Sequence, residues 1–488
     1  MDDERYGQAI RGVTQFWVWT IPALFLVLVL LGLMMRVNQA GIINADPDYF
    51  YAVMTLHGLG MAGTAFAGGF AGVTYLLARY VHVSITVAWT MCVLTIVGVV
   101  GLVIACLIGK FGPGWYLLYP LPFLANGVWP DWALGLGVLS LIVLGVAWLV
   151  GQIDVFRALI ARYGLTNSLG WQYLRKESAG RIEIPPIVLV SAAGFLVPGI
   201  LTTVDGAVLL MLYLFKWFSP SLTLDPLLLK NMVFLWGHTL VNITMYLGLA
   251  MVYELLPKYS GRPWKTNVVL AISWNAVLVL VLLAFFHHLY MDFVQPALFQ
   301  YIGQAASYLS AVPATVVTVF GVIAQVYRSG MQWRFVPLCL CLGIVGWVIG
   351  GFAAVVDSTI AVNFVFHNTM WVPAHFHTYF LVGYFLMLWG FLYDFSDSAH
   401  ETIAKGVLWL LVAGGYGFLF MFYLGGALGV PRRFAAYSII PVTSLATISE
   451  RTAFIASAFV VILIIGLLAV FSAIYGRSAK KAFSSVGQ

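Results

Sequence analysis

Long apolar runs alternate with short polar or Pro/Gly-rich segments along almost the whole chain. A membrane-spanning helix needs about 20 mostly apolar residues, and twelve runs reach that length. Their approximate limits are 16–35, 50–78, 84–109, 132–151, 186–214, 231–256, 267–289, 302–326, 336–356, 364–392, 405–425 and 453–475. One longer polar loop, from 152 to 185, interrupts this pattern. The pattern predicts an all-α polytopic membrane protein, in which residues 1–488 form a single integral membrane domain with twelve transmembrane helices.

Composition supports this prediction and adds an orientation. Hydrophobic residues make up 62% of the 488 residues and charged residues only 9%, whereas soluble domains carry about 25% charged residues. Most of the exterior must therefore face lipid. The net charge of +6 is modest, and no basic run indicates nucleic-acid binding. Seventeen of the 24 Lys and Arg residues fall on the side that holds both termini, which predicts cytoplasmic termini.

Seven of the nine histidines fall in or at the ends of predicted spans, where ionisable groups are costly and usually functional. The seven are His57, His238, His287, His288, His367, His375 and His377, whereas His82 and His400 fall at loops. In the predicted topology all seven lie at one depth, in the outer part of the bilayer. Any one of them could be a core residue bonded to a backbone carbonyl. Seven in one layer favour metal ligation, because each unpaired imidazole would cost about 1–3 kcal/mol.

Spacing separates the histidines into groups. His375 and His377 are two residues apart, which rotates them by about 200° around a helix, so they face opposite sides and can serve two centres. Flat macrocycles on either side of the helix fit that arrangement, because imidazole is a usual axial ligand of haem iron. His287 and His288, together with His238 on the sixth span, could form a three-imidazole copper or iron site.

Three motifs together resemble the catalytic subunit of the haem-copper oxidase superfamily. They are the run from His367-Asn368-Thr369 to His375-Phe376-His377, the pair Phe286-His287-His288, and Trp236-Gly237-His238. The resemblance covers about residues 45–460 and is closest to the B-type branch. It implies a subunit I-like helical bundle in a bacterial inner membrane.

The resemblance also implies the cofactors and their ligands. His57 and His377 would bind a low-spin haem, His375 a high-spin haem, and His238, His287 and His288 the second metal. Axial ligands do not fix the haem type, and type b is expected. Copper is favoured over non-haem iron because no carboxylate joins the imidazoles. Arg432 and Arg433 match the arginines that bind the haem propionates, and paired guanidinium groups suit carboxylates. His367 would either bond to the propionates or be a structural hydrogen-bonding residue.

One departure from the family pattern points to the substrate. Oxygen-reducing members are expected to carry a tyrosine four residues after the histidine of the sixth helix, joined covalently to a ligand histidine, and here that position is Asn242. Residues i and i+4 share a helix face, so Asn242 points at the same metal site as His238. Dioxygen cleavage needs four electrons, of which the metals supply three, whereas coupling two nitric oxide molecules needs two. An asparagine at this position therefore resembles the sNOR type of nitric oxide reductase. The amide of Asn242 could donate a hydrogen bond to an N–O oxygen, or Asn242 could be a small packing residue.

Two other functions stay open. The chain could be a B-type oxidase that reduces O2 without the cross-linked tyrosine, using a donor such as Tyr246, or a haem-bearing transporter or sensor without turnover. No copper-centre motif or C-x-x-C-H haem attachment is present, which predicts a separate electron donor on the outer face, either a cupredoxin-like (CuA) or a cytochrome c-type subunit.

Proton delivery has fewer candidates in the sequence. Tyr253 matches a tyrosine of the B-type proton path, and Glu254 is either a proton-loading carboxylate or a snorkelling residue at the interface. The threonines that the path carries on the eighth helix are replaced by Val317 and Phe320. The path is therefore expected to be interrupted.

Overall fold

The computed structural model of the protein describes residues 3–175, 182–396 and 401–486, so His400 lies outside the described residues. Twelve helices in these ranges are long and apolar enough to cross a membrane, which confirms the predicted fold class. They are α1 (Asp3–Gln39), α2 (Pro47–Leu77), α3 (Ile85–Ile108), α4 (Asp131–Tyr163), α5 (Pro186–Phe218), α6 (Pro226–Ser260), α7 (Val268–Leu289), α8 (Ala297–Val326), α9 (Phe335–Asp357), α10 (Trp371–Ser396), α11 (Lys405–Ala427) and α12 (Thr443–Gly476).

Several helices continue beyond the predicted apolar runs. The loop predicted to begin at 152 is wrong in its first part, because α4 continues through Tyr163. Its polar end is stabilised by Asp154, which pairs with Arg157 at 2.7 Å and accepts a hydrogen bond from the Ser84 backbone amide at 2.7 Å. These bonds pair the charged groups of a segment that the hydropathy pattern predicts to be a loop.

The predicted tenth span is two helices. A short helix, Ile360–Phe366, precedes α10, and the chain between them pairs with the loop that follows α11. Met370 donates from its backbone amide to the Val430 carbonyl at 2.9 Å, and Arg432 donates to the Asn368 carbonyl at 3.0 Å. His367 therefore lies before α10 rather than on it.

Helices α2, α6 and α10 begin, and α7 ends, at one end of the bundle, which we call the site end. Glycine allows α9 and α10 to pack closely below this end. A Cβ at Gly346 would overlap the carbonyl of Val382, which lies in a π-helical segment of α10, Thr378–Tyr384. Small residues at such crossings let two backbones approach within a membrane. The segment that follows His377 is thereby held against α9.

Candidate functional site

Three histidines converge at the site end, between α6 and the last turn of α7. His238 comes from α6, and His287 and His288 come from the 3-10 turn that closes α7. One ligand atom from each lies within 4.8 Å of the other two. The ring centroids of His287 and His288 are 4.2 Å apart, and that of His238 lies 5.0 Å and 5.4 Å from them. Three imidazoles at this spacing can hold one transition-metal ion.

Helix α8 fixes the orientation of His287. The Nδ1 atom of His287 lies 2.9 Å from Ser307 Oγ, and this hydroxyl donates to the carbonyl of Gly303 at 2.6 Å. Because the single hydroxyl proton is used on that carbonyl, Nδ1–H of His287 donates to Ser307, which leaves Nε2 free as a ligand atom. A Cβ at Gly303 would lie 2.8 Å from the His287 backbone nitrogen, so only glycine permits this approach.

Asn242 lies directly beside His238, one turn further along α6. Its Nδ2 atom donates to the His238 carbonyl at 2.8 Å and lies 3.2 Å from His238 Nε2. The other ring nitrogen of His238, Nδ1, is buried. The amide of Asn242 therefore contacts a candidate ligand residue, a contact that the i, i+4 spacing allows but does not specify.

His57 on α2 and His377 on α10 face each other across a gap. Their rings are nearly parallel, with an interplanar angle of 18° and centroids 6.5 Å apart. His57 Nδ1 donates to the Leu28 carbonyl at 2.8 Å, and His377 Nδ1 donates to the Pro373 carbonyl at 2.7 Å, so both Nε2 atoms are free. Two imidazoles bound to opposite faces of one metal by bonds of about 2 Å have ring centres roughly 6 Å apart. The pair fits the axial ligands of a haem.

His375 lies on the opposite side of α10 from His377. It lies close enough to His287 and His238 for the three rings to interact electrostatically, so it lies next to the three-histidine cluster. Its Nδ1 atom is buried, and the Tyr379 ring meets it edge-on at 5.2 Å. Helix α10 therefore separates two histidine centres, as the two-residue spacing predicts.

Two arginines follow a chain segment that is fixed against the start of α10. Thr369 and Pro431 form an isolated antiparallel bridge, which brings Arg432 and Arg433 beside His367. Burial, followed by the charge of Arg433, lowers the pKa of Arg432 to about 9. Burial, followed by the charge of Arg432, lowers the pKa of His367 to about 4. Arg432 Nε has no partner within the described ranges, so this cationic pocket fits an anionic group such as a carboxylate.

Comparison with known proteins identifies the family. The profile of the family described as Cytochrome C and Quinol oxidase polypeptide I matches residues 12–458. The chain belongs to this family. It is therefore a member of the haem-copper oxidase subunit I superfamily, and the resemblance seen in the three histidine motifs is confirmed at that level.

Individual relatives of this haem-copper oxidase subunit are distant. Cytochrome c oxidase subunit 1 of Thermus thermophilus is 26% identical over 288 residues, covering 54% of this chain and 50% of that protein. The probable cytochrome c oxidase subunit 1 of Bradyrhizobium diazoefficiens is 26% identical over 354 residues, covering 71% and 51%. The chain thus spans about half the length of these curated relatives. A solved cryo-EM structure of a haem-copper terminal oxidase dimer shares the fold, with a TM-score of 0.78 at 20% identity, covering 96% of this chain and 84% of that one.

In this oxidase-family chain, Tyr253 lies towards the end of the bundle opposite the site end. The side chain is 2% exposed, and its hydroxyl lies 2.9 Å from Thr318 Oγ1 on α8. Thr318 lies between Val317 and Phe320, the two positions where the family's threonines are expected, and the sequence already offers it as a polar group of the eighth helix. A hydroxyl contact from α8 to Tyr253 is therefore present despite the two replacements.

Glu254 is tied to the loop that follows α2. Its carboxylate accepts a hydrogen bond from Arg79 at 3.2 Å and one from the Tyr80 hydroxyl at 3.0 Å. Burial, followed by the charge of Glu254, raises the pKa of Tyr80 to about 12. These contacts favour the interfacial role over the proton-loading role. The sequence could not separate the two roles, since the partners lie far away along the chain.

Proposed function

We propose that this protein reduces nitric oxide to nitrous oxide: two NO, two electrons and two protons give N2O and water. The observation that carries the proposal is Asn242. It contacts His238 of the three-histidine cluster at the position where an oxygen-reducing member is expected to carry a tyrosine. Coupling of two NO molecules does not need the additional electron that such a tyrosine provides.

The ligand assignments belong to the same proposal. His57 and His377 would hold a low-spin haem, His375 a high-spin haem, and His238, His287 and His288 a copper ion. When bound, these groups would supply two electrons and two neighbouring metal sites for the gas. The parallel 6.5 Å ring pair and the 4.8 Å ligand cluster support this set. The absence of a carboxylate among the three clustered ligands supports copper over non-haem iron.

The protein's own groups orient the site and deliver protons. Ser307 holds the ring of His287 by a hydrogen bond, and the Asn242 amide donates to the His238 backbone carbonyl beside the cluster. Arg432 and Arg433 would neutralise haem carboxylates at the site end. Tyr253, bonded to Thr318, would pass protons from the opposite end of α6, and the ion pair of Glu254 with Arg79 supports leaving that carboxylate out of the path.

We further propose that the site end faces the outside of a bacterial inner membrane, with both termini in the cytoplasm. The Lys and Arg distribution supports that orientation. Electrons would then arrive from a cupredoxin-like or cytochrome c-type subunit docked on the outer face.

Reduction of O2 is the second candidate function. It is supported by the relatives, which are described as cytochrome c oxidase subunits, and by Tyr246, a buried phenol one turn beyond Asn242 on α6. The ring of Tyr246 packs edge-on against Trp274, with centroids 5.2 Å apart, and its hydroxyl lies close enough to that of Tyr379 for the two to interact electrostatically. These contacts bring a phenol near the candidate centre without the cross-link.

Gas-specific turnover separates the two functions. The purified complex is supplied with a reduced donor, and N2O and O2 are measured separately. We expect N2O formation, and we expect Asn242→Leu, which removes the amide at similar volume, to slow it about 10- to 100-fold at unchanged haem content. Asn242→Tyr should not raise N2O formation. Rapid O2 consumption without any N2O would overturn the proposal, and an O2 rate lost in Tyr246→Phe would establish the second function.

A further inference from the structure

Tyr379 is a half-buried tyrosine that the proposed function does not use. It follows His375 by four residues on α10, so the two side chains share a helix face. The Tyr379 ring meets the His375 ring edge-on, with an interplanar angle of 71° and centroids 5.2 Å apart. Because this contact lies against one side of the imidazole, it restricts rotation of the His375 ring.

Two adjacent glycines on α9 form the surface on which the Tyr379 ring rests. A Cβ at Gly350 would lie 2.7 Å from Cδ1 of Tyr379 and 2.8 Å from its Cγ, and a Cβ at Gly351 would lie 3.5 Å from its hydroxyl oxygen. Carbon atoms in van der Waals contact are about 3.5–4.0 Å apart, so any side chain at position 350 would displace the ring. Glycine at this position therefore determines where the Tyr379 ring lies.

Gly350 also faces the imidazole of His375. Its backbone carbonyl lies close enough to the His375 ring to interact with it. A carbonyl that accepts the second ring N–H of a metal-binding histidine fixes the orientation of the ring and raises the basicity of the ligand. Loss of the Tyr379 ring would therefore free both the imidazole and the Gly350 backbone from the contact that holds them.

The backbone of Tyr379 is held by its neighbour. Tyr379 lies in the π-helical segment Thr378–Tyr384, and single π-helical turns are frequent at functional sites. The Thr378 hydroxyl donates to the Ala374 carbonyl at 2.8 Å and lies 2.9 Å from the Tyr423 hydroxyl. These contacts tie the start of the segment to α10 and α11, so the ring is presented to His375 from a fixed position.

The ring and the hydroxyl of Tyr379 have different neighbours. The hydroxyl lies close enough to the hydroxyls of Tyr246 and Tyr423 to interact with them electrostatically. The contacts with His375 and with the Gly350 position are made by the ring. A phenylalanine at position 379 would therefore keep the contacts with the ligand and lose only those of the hydroxyl.

We propose that Tyr379 is a positioning residue, whose ring holds the imidazole of His375 in one orientation beside the Gly350 carbonyl and thereby sets the strength of the bond from His375 to haem iron. The inference rests on the proposed function only in taking His375 as a haem ligand. It does not depend on whether the gas is NO or O2.

Resonance Raman spectroscopy of the purified, reduced complex tests this proposal through the iron–histidine stretching band of the high-spin haem. In Tyr379→Leu we expect the band to broaden and move to lower frequency, because the released imidazole is a weaker ligand. Tyr379→Phe keeps the ring and should retain the parent band. Tyr416→Leu on α11 is the matched control, because it makes the same change at another half-buried tyrosine, and it should leave the band in place.

The outcomes are distinguishable from those of the gas assay. A band in Tyr379→Leu with the parent frequency and width would overturn the proposal, and so would an equal shift in Tyr379→Phe, which would assign the effect to the hydroxyl. If Tyr379→Leu does not assemble haem, Gly350→Ala decides, because its Cβ displaces the ring without removing it and should also shift the band.

Failure of the proposed function gives different results. A parent protein without an iron–histidine band would refute His375 as a ligand and the inference with it. N2O formation is scored separately, so a missing N2O signal together with the expected band shifts would refute the proposed gas alone.

Discussion

Replacing Gly303 with alanine tests whether the three-histidine cluster depends on the close approach of α8. The added Cβ would lie 2.8 Å from the backbone nitrogen of His287 and 2.9 Å from the carbonyl carbon of Phe286. Ordinary contacts between such atoms begin at about 3.5 Å. The backbones of α8 and the closing turn of α7 must therefore separate by about 0.7 Å.

That displacement exceeds what the cluster tolerates. Metal–ligand distances vary by only about 0.2 Å around their ideal values. The 2.9 Å hydrogen bond from His287 to Ser307 would stretch to about 3.6 Å, beyond hydrogen-bond range. Loss of such a supporting bond lowers metal affinity about 10- to 100-fold. Overpacking adds a stability cost of about 1–3 kcal/mol.

Metal analysis of the purified protein, as copper per haem, measures the first effect, and thermal unfolding measures the second. Gly145→Ala on α4 is the matched control, because a Cβ there meets nothing within 4 Å and alanine is the better helix former by about 0.5–1 kcal/mol. We expect copper to be lost only from Gly303→Ala. A copper-to-haem ratio equal to that of Gly145→Ala, at the same unfolding temperature, would refute the role assigned to α8.

Three further substitutions probe the other centre and the proton path. In Gly32→Ala the new Cβ would lie 3.0 Å from His57 Cε1, so the ring must shift by a few tenths of an ångström. We expect a changed low-spin haem spectrum and potential with unchanged copper, and an unaltered spectrum would count against the ligand assignment. Tyr253→Phe removes the 2.9 Å bond to Thr318 and should slow turnover at least about 10-fold, whereas Glu254→Gln should not. Equal rates in the two variants would exclude Tyr253 from the path.

The sequence predicted the spans and the grouping of the histidines because both depend on local pattern. Twelve apolar runs require twelve helices, and the two-residue spacing of His375 and His377 puts them on opposite helix faces. The helix ends were harder to predict. α4 continues past its apolar run because Asp154 and Arg157 pair across the helix surface, which hydropathy cannot register.

Contacts between distant segments were not predictable. The break before α10 depends on pairing between Asn368 and Arg432, which lie in different loops. Asn242 was correctly expected on the face of His238, yet its hydrogen bond to that residue depends on a side-chain rotamer. The partners of Glu254 and Tyr253 likewise come from α2's following loop and from α8, so no local motif contains them.

The two facing imidazoles of His57 and His377 have a consequence for the speed of electron transfer. Each ring is fixed by a carbonyl on a different element, Leu28 on α1 and Pro373 on α10, so neither can rotate when the charge between them changes. A coordination sphere that keeps its shape in both oxidation states has a small reorganisation energy. With the proposed low-spin haem bound between them, we therefore expect the pair to favour rapid electron entry.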